Sequence, residues 1–313
     1  MASVKPAGYK LATYKSAEGP RAGLIVGDDV FDVAKLTGKP AYATILGILA
    51  DWKAAEGALR KAVAAAAKSR GKRLPLKKAK LLAPIQGSVA IYCAGANYAD
   101  HAAAMAAREG SPPPPDPHSQ GLKPFHFLKA PGTIVASGTP IKISHYAKAM
   151  DWEIELAAVI GRPAKDVPKE KALSYVAGYM VSNDLSARDR GRRDAVAPTS
   201  PFKIDWLKHK TFEGSCPIGP WIVPASDIAD PQNLGLKLWV NSELKQDSNT
   251  AKMLFTLAEQ IEQLSVNMTL HPGDLILTGT PSGTGAENGT FLKAGDVVKV
   301  WIERIGEIEN RMA

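Results

Sequence analysis

The 313-residue chain is predicted to be a β-rich α+β protein, with a small N-terminal α+β unit ahead of a larger main domain. Three observations carry this. Short stretches rich in β-branched and aromatic residues recur between Gly, Pro, Asn and Asp through the last two thirds of the sequence. Helical spacing is confined to a few places and does not alternate regularly with the strands, which argues against a doubly wound parallel sheet. Apolar residues make up 45% and charged residues 22%, ordinary globular values that argue against disorder.

Residues 9–34 read as short strands around turns: "YKLATYK" alternates, "EGPRAG" punctuates, and "LIVGDDVFDV" is strand, turn, strand. From about residue 43 to 68 the pattern turns helical and Ala-rich. Residues 1–80 are taken as the small unit, with "LPLKKAKLLAPIQG" as the linker into a main domain over 81–313. That domain opens with "VAIYCAGANYADHAAAMAAREG", a strand, a turn and an Ala-rich helix. The stiff segment "SPPPPDPHSQG" ends the helix, which reads as a mobile flap; a proline-rich SH3-type ligand is the other reading. Strands are then expected in "FHFLKAPGTIVASGTPIKI", "DWEIELAAVIG", "YVAGYMVSND", "PIGPWIV", "LKLWVNSEL", "DLILTGTP" and "DVVKVWIERIGEIEN", with helices at 168–175 and 251–267.

The net charge of +8 is uneven. Of 39 Lys and Arg, nine lie between Arg60 and Lys80 with no acid among them, leaving 30 basic against 31 acidic residues elsewhere. That stretch has no aromatic residue to stack on a base, so it reads as a solvated helix end and linker rather than a nucleic-acid surface. No apolar run is long enough to span a bilayer, and the first residues lack a signal-peptide apolar core, so a cytoplasmic protein is expected. Cys93 and Cys216 form no CxxC and are expected to be free thiols.

Five features could carry chemistry. In "DWEIELAAVIG" side chains alternate, so Asp151, Glu153 and Glu155 share a face with Ala157 and Val159, while Trp152, Ile154 and Leu156 take the other. The acids either face water or, if buried, take up a proton or recruit a cation. "YMVSNDLSARD" ends a strand in Asn183 and Asp184, with Arg188 and Asp189 following: a surface turn, or a site. Asp184 brought to Glu153 and Glu155 would give three oxygen ligands suited to Mg²⁺; no Cys/His spacing suggests zinc. His101 in the flap helix is a structural histidine or a general base. Lys210 is a surface lysine or a partner for an anionic substrate group. "LILTGTPSGTGAENG" is a turn-rich hairpin or an anion-binding nest of N–H groups; it is neither GxGxxG nor a P-loop.

In order, "GANYADHAAAM", "FLKAPGTIVASGTPI", "DWEIELAAVIG", "YVAGYMVSNDLSARD", "KTFEGSCPIGPWIV", "VNSELKQDSNTAKMLF" and "MTLHPGDLILTGTPSGTG" resemble the fumarylacetoacetate hydrolase family over about residues 90–300. The resemblance implies a mixed β-roll catalytic domain, usually a homodimer, holding Mg²⁺ or Mn²⁺ through Glu153, Glu155 and Asp184. It implies a small 2-oxo or diketo acid substrate, with Arg188, Lys210 and Thr280 near it and His101 and Lys210 in catalysis. The implied reaction is hydrolysis of a C–C bond in an acylpyruvate-like diketo acid through a metal-stabilised enolate. The alternatives are isomerisation or decarboxylation of a 2-oxo or 2-hydroxymuconate-type dicarboxylate, or binding without turnover.

Two departures stand out. The glutamate that often follows the flap histidine by one helical turn is replaced by Ala104, and Glu109 lies about 12 Å along the helix, too far to orient His101. Gly191 stands where family members often carry Gln. His101 is thus expected to lack a carboxylate partner unless another segment supplies one, which makes enolate-only chemistry more plausible than water activation.

Overall fold

Among the residues that the computed structural model describes, 8–68, 73–197 and 199–313, twelve strands join one mixed sheet. The first seven residues and residues 69–72 of the basic segment, on which part of the leader and charge readings fell, lie outside the described residues. The sheet runs Leu74–Pro75, Asp29–Asp32, Gly19–Val26, Lys10–Ser16, Cys216–Pro224, Val176–Asn183, Ile154–Ile160, Leu275–Leu277, Ile91–Ala94, His126–Lys129. Leu81–Leu82 adds to Lys10–Ser16, and Ile134–Ala136 lies parallel to Cys216–Pro224. A separate antiparallel sheet is made of two hairpins, Gly235–Val240 with Glu243–Asn249 and Val297–Ile302 with Gly306–Arg311.

The N-terminal strands enter the large sheet where Leu11 pairs with Ile222, and the segment read as a linker supplies two short strands to it. One apolar cluster accordingly combines Leu24, Ile48 and Leu59 with Ala157, Val159, Met180 and Ile218. On the opposite face of the same strand Trp152, Ile154 and Leu156 pack with Leu236, Leu238 and Val300 of the small sheet and with Ile261. The two-residue period of "DWEIELAAVIG" therefore separates two cores, not core from water, and every residue of Ile154–Ile160 is buried.

Helices differ from the expected spans at their ends. The Ala-rich stretch breaks into Ile45–Leu49 and Trp52–Lys68. The helix expected over 251–267 starts at Leu257, where Thr256 and Glu259 form a capping box; before it, Met253 bridges to Tyr98. Residues 169–175 are a single α-turn followed by a 3-10 turn. Cys93 and Cys216 are free and buried. No described helix is long and apolar enough to cross a membrane.

Candidate active site

Two neighbouring strands end together at the site. Ile154 lies opposite Asn183, whose side-chain oxygen accepts the Glu153 N–H at 2.9 Å, while the Asp184 N–H donates to the Glu153 carbonyl at 2.8 Å. Glu153, Glu155 and Asp184 thereby bring carboxylate oxygens within 4.8 Å of one another, all buried. Lys210, on the short helix Trp206–Lys210, puts its ammonium 2.6 Å from both Glu153 Oε2 and Asp184 Oδ2. The fully buried Lys129 ammonium lies 2.5 Å from Asp184 Oδ1. Arg188 binds Asp151 through Nε at 2.8 Å and Glu153 through Nη2.

These pairings are uneven. Burial alone would raise the Glu153 carboxyl, but Lys210 and Arg188 outweigh it and hold it below the usual range. Glu155 makes no ion pair among the described residues and accepts one backbone bond, from Gly279 at 2.7 Å. Burial, then Asp184 and Glu153, push its carboxyl well up. Four acids, counting Asp151, face three cations, and the uncompensated one sits in the three-carboxylate cluster. A buried carboxylate in that position protonates or takes a cation, and three converging hard oxygens fit a divalent ion of the Mg²⁺ or Mn²⁺ type. The triad is thus suited to hold a metal.

The segment after Leu275–Leu277 is an anion nest, and its anions are the protein's own acids. Gly279 N–H serves Glu155, Gly283 N–H serves Glu287 at 2.7 Å, and Gly285 and Ala286 N–H serve Asp151 at 2.6 and 3.0 Å. Gly283 is at φ +100°, and a Cβ there would stand 2.0 Å from the Lys245 carbonyl oxygen, so the turn admits no side chain. Thr280 is buried, and its hydroxyl oxygen accepts from Gln246 at 2.9 Å.

His101 has a carboxylate partner after all. It projects from the helix Ala99–Arg108, and its Nδ1 lies 2.5 Å from Glu287 Oε1. The expectation of an unpartnered imidazole is corrected: the acid missing at Ala104 comes from the nest segment, 186 residues away in sequence. Asp100 faces Ser248, Ser282 and Lys252, and Arg108 caps the Ala286 carbonyl, so the flap helix is docked on the nest. Beside Arg188 a cavity of about 490 Å³ opens, walled by Met105, Arg108, Gly191, Trp206 and His209 among others.

Sequence reading gathered Glu153, Glu155, Asp184, Arg188, Lys210, Thr280 and His101 in one list. The first five share direct contacts or one carboxylate cluster in the structure, and Thr280 and His101 are tied to the nest that holds Glu155 and Glu287. It missed Glu287, Lys129 and Gln246. Only Glu287 left a signal, as the sole acid inside a run of Gly and Thr.

The profile of the fumarylacetoacetate hydrolase C-terminal family matches residues 90–313. The chain belongs to the fumarylacetoacetate hydrolase family. Its large mixed sheet with flanking helices matches solved members. One is a 2-hydroxyhepta-2,4-diene-1,7-dioate isomerase of Mycobacterium marinum, 31% identical with TM-score 0.71, covering 97% of this chain and 98% of that one. Another is a maleylpyruvate hydrolase of Sphingobium in complex with manganese(II) and pyruvate, 27% identical with TM-score 0.73, covering 97% and 98%. Among relatives in sequence is the mitochondrial oxaloacetate tautomerase fahd2 of Xenopus laevis, 41% identical over 74% of this chain and 67% of that protein. This superfamily is enzymatic, and its isomerases, tautomerases and hydrolases share a fold.

Proposed function

We propose that this protein is a divalent-metal-dependent enzyme that interconverts the keto and enol forms of a 2-oxo dicarboxylic acid, oxaloacetate being the test substrate. The observation that carries the proposal is the His101–Glu287 pair on the same nest segment that anchors Glu155 of the carboxylate triad. Glu153, Glu155 and Asp184 would hold Mg²⁺ or Mn²⁺, which supplies Lewis-acid stabilisation to a developing enolate.

The chain's own residues do the rest. Glu287 accepts the His101 Nδ1 hydrogen, which leaves Nε2 as the base that takes the proton from C3 of the substrate and returns it. Lys210 spends two N–H bonds on Glu153 and Asp184 and has a third for a substrate oxygen. Thr280 accepts from Gln246, so its own hydroxyl hydrogen is left to donate to a substrate oxygen. Arg188 is held by Asp151 and Glu153, and its Nη1 has no protein partner among the described residues, leaving it for a substrate carboxylate. These are preorganised donors aimed at developing negative charge.

Hydrolysis of an acylpyruvate is the second reading. The same His101–Glu287 pair would take the proton of an attacking water, and the likeness to a maleylpyruvate hydrolase favours it. The Glu287 contact supplies the carboxylate that position 104 lacks, which argues against binding without turnover. Oxaloacetate and a panel of acylpyruvates, each assayed with Mg²⁺ or EDTA, separate these readings. Turnover unaffected by EDTA, or turnover of none of these acids, would defeat the proposal.

The reading includes a homodimer. Phe125, Leu128, Phe202 and Leu207 are each more than half exposed, close to the Trp206 helix, and a second copy is the proposed cover. A monomer by light scattering would refute that. A cytoplasmic setting is also proposed, in keeping with two free buried thiols.

A further inference from the structure

His209 has no assigned task, yet its position is unusual. It is buried to 9% exposure, and its Nε2 has no hydrogen-bond partner. Burying a polar atom without a partner is costly, so the imidazole calls for an explanation. The ring forms part of the wall of the 490 Å³ cavity next to Arg188, one residue before Lys210. It stacks on Trp206 with centroids 5.6 Å apart.

Gly191 is shaped around it. A Cβ at position 191 would come within 3.0 Å of the His209 ring atoms Cγ and Nδ1. A side chain at 191 and the ring at 209 therefore compete for one volume, and this chain gives it to the imidazole. Burial, then the neighbouring Lys210 and Arg188 charges, push the His209 imidazole down to about 2, so the ring stays neutral. A neutral imidazole has one N–H to donate and one lone pair to accept; with Nε2 closed off from solvent, the nitrogen left for a ligand is Nδ1, on the side of the cavity-lining Gly191.

We infer that His209 is a substrate-recognition residue that hydrogen-bonds an oxygen of the bound 2-oxo acid, and that Gly191 is kept free of a side chain to seat it. The inference rests on the proposed substrate class. It does not depend on which reaction follows, because the group acts on the bound ligand.

Pyruvate is the probe. Its binding to the Mn²⁺-loaded protein is measured by calorimetry, with Mn²⁺ affinity and thermal midpoint as controls. His209→Phe keeps the ring and its stack on Trp206 but cannot hydrogen-bond; pyruvate binding is expected to weaken about tenfold. His209→Gln restores a hydrogen-bonding group and is expected to recover most of the loss. Gly191→Ala displaces the ring and weakens binding while the protein stays folded. On a turned-over substrate the Phe variant raises KM more than it lowers kcat. The inference is overturned if His209→Phe binds pyruvate like the wild type, or if His209→Gln loses as much as Phe. If the Phe variant does not fold, unchanged pyruvate binding by Gly191→Ala overturns it. Wild-type protein that binds pyruvate but leaves oxaloacetate unchanged defeats the tautomerase reading and leaves this inference standing.

Discussion

Replacing Glu287 with Gln tests the least expected contact of the site. The His101 Nδ1 hydrogen and the Gly283 N–H both point at this carboxylate, at 2.5 and 2.7 Å. A carboxylate accepts at both oxygens, whereas an amide has one acceptor oxygen and an NH2 group. Gln must therefore turn its NH2 toward one of the two donors. If the loop keeps the oxygen, Nδ1 of His101 faces a donor, the imidazole moves its hydrogen to Nε2, and the base is lost. A hydrogen bond to a charged group is worth about 1.5–3 kcal/mol. At about 1.4 kcal/mol per factor of ten, kcat should fall about 10- to 150-fold with KM little changed. His101→Ala should cost about 10²- to 10⁴-fold. Because Glu287 acts through His101, the double variant should be no slower than His101→Ala alone. Steady-state kinetics on oxaloacetate with saturating Mg²⁺ reads all three. A Glu287→Gln rate within about twofold of wild type, or losses that multiply in the double variant, would refute the reasoning.

Other consequences follow from the same contacts. Glu155→Gln removes the one uncompensated acid and keeps an acceptor for the Gly279 N–H, so thermal melts in EDTA should show an unchanged or higher midpoint, and the Mn²⁺-induced rise should disappear. Lys129→Met breaks a fully buried pair with Asp184; urea unfolding should show a loss of about 3 kcal/mol, the low end for such pairs, since Lys210 still compensates the acid. Burial holds the His126 imidazole down to about 4, against 6.5 for an exposed one. Between those values the unfolded chain binds more protons, so stability is lost as pH falls from about 6.5 towards 4. A His126→Phe variant should show a flatter stability-against-pH curve over that window, and an identical slope would contradict the assignment.

Local patterns were legible in the sequence where they repeat at short range. The alternation in "DWEIELAAVIG" placed both glutamates on one face, and the Asn-Asp ending of the next strand supplied the third acid. The pattern could not show that the acid-bearing face was also buried, because that face packs against Leu24, Ile48 and Leu59 of the N-terminal segment. Burial on both faces is what turns the acids from surface residues into a charged cluster. The Gly-rich segment was readable as an anion nest, but not its occupants, since Asp151, Glu155 and Glu287 reach it only through tertiary packing. The search for a His101 partner looked along its own helix, where spacing can be counted. The partner lay 186 residues away, and no local periodicity encodes that distance.

The account's central claim is metal-supported proton transfer at the carbon beside a 2-oxo group, with His101 as the base. Exchange of the C3 protons of oxaloacetate in D2O, followed by proton NMR with Mg²⁺ and then with EDTA, tests it most directly. The account predicts exchange accelerated by the wild-type protein, abolished by EDTA and by His101→Ala, and slowed by Glu287→Gln, with no matching release of pyruvate. Exchange at the uncatalysed rate in the presence of the Mg²⁺-loaded wild type would contradict it.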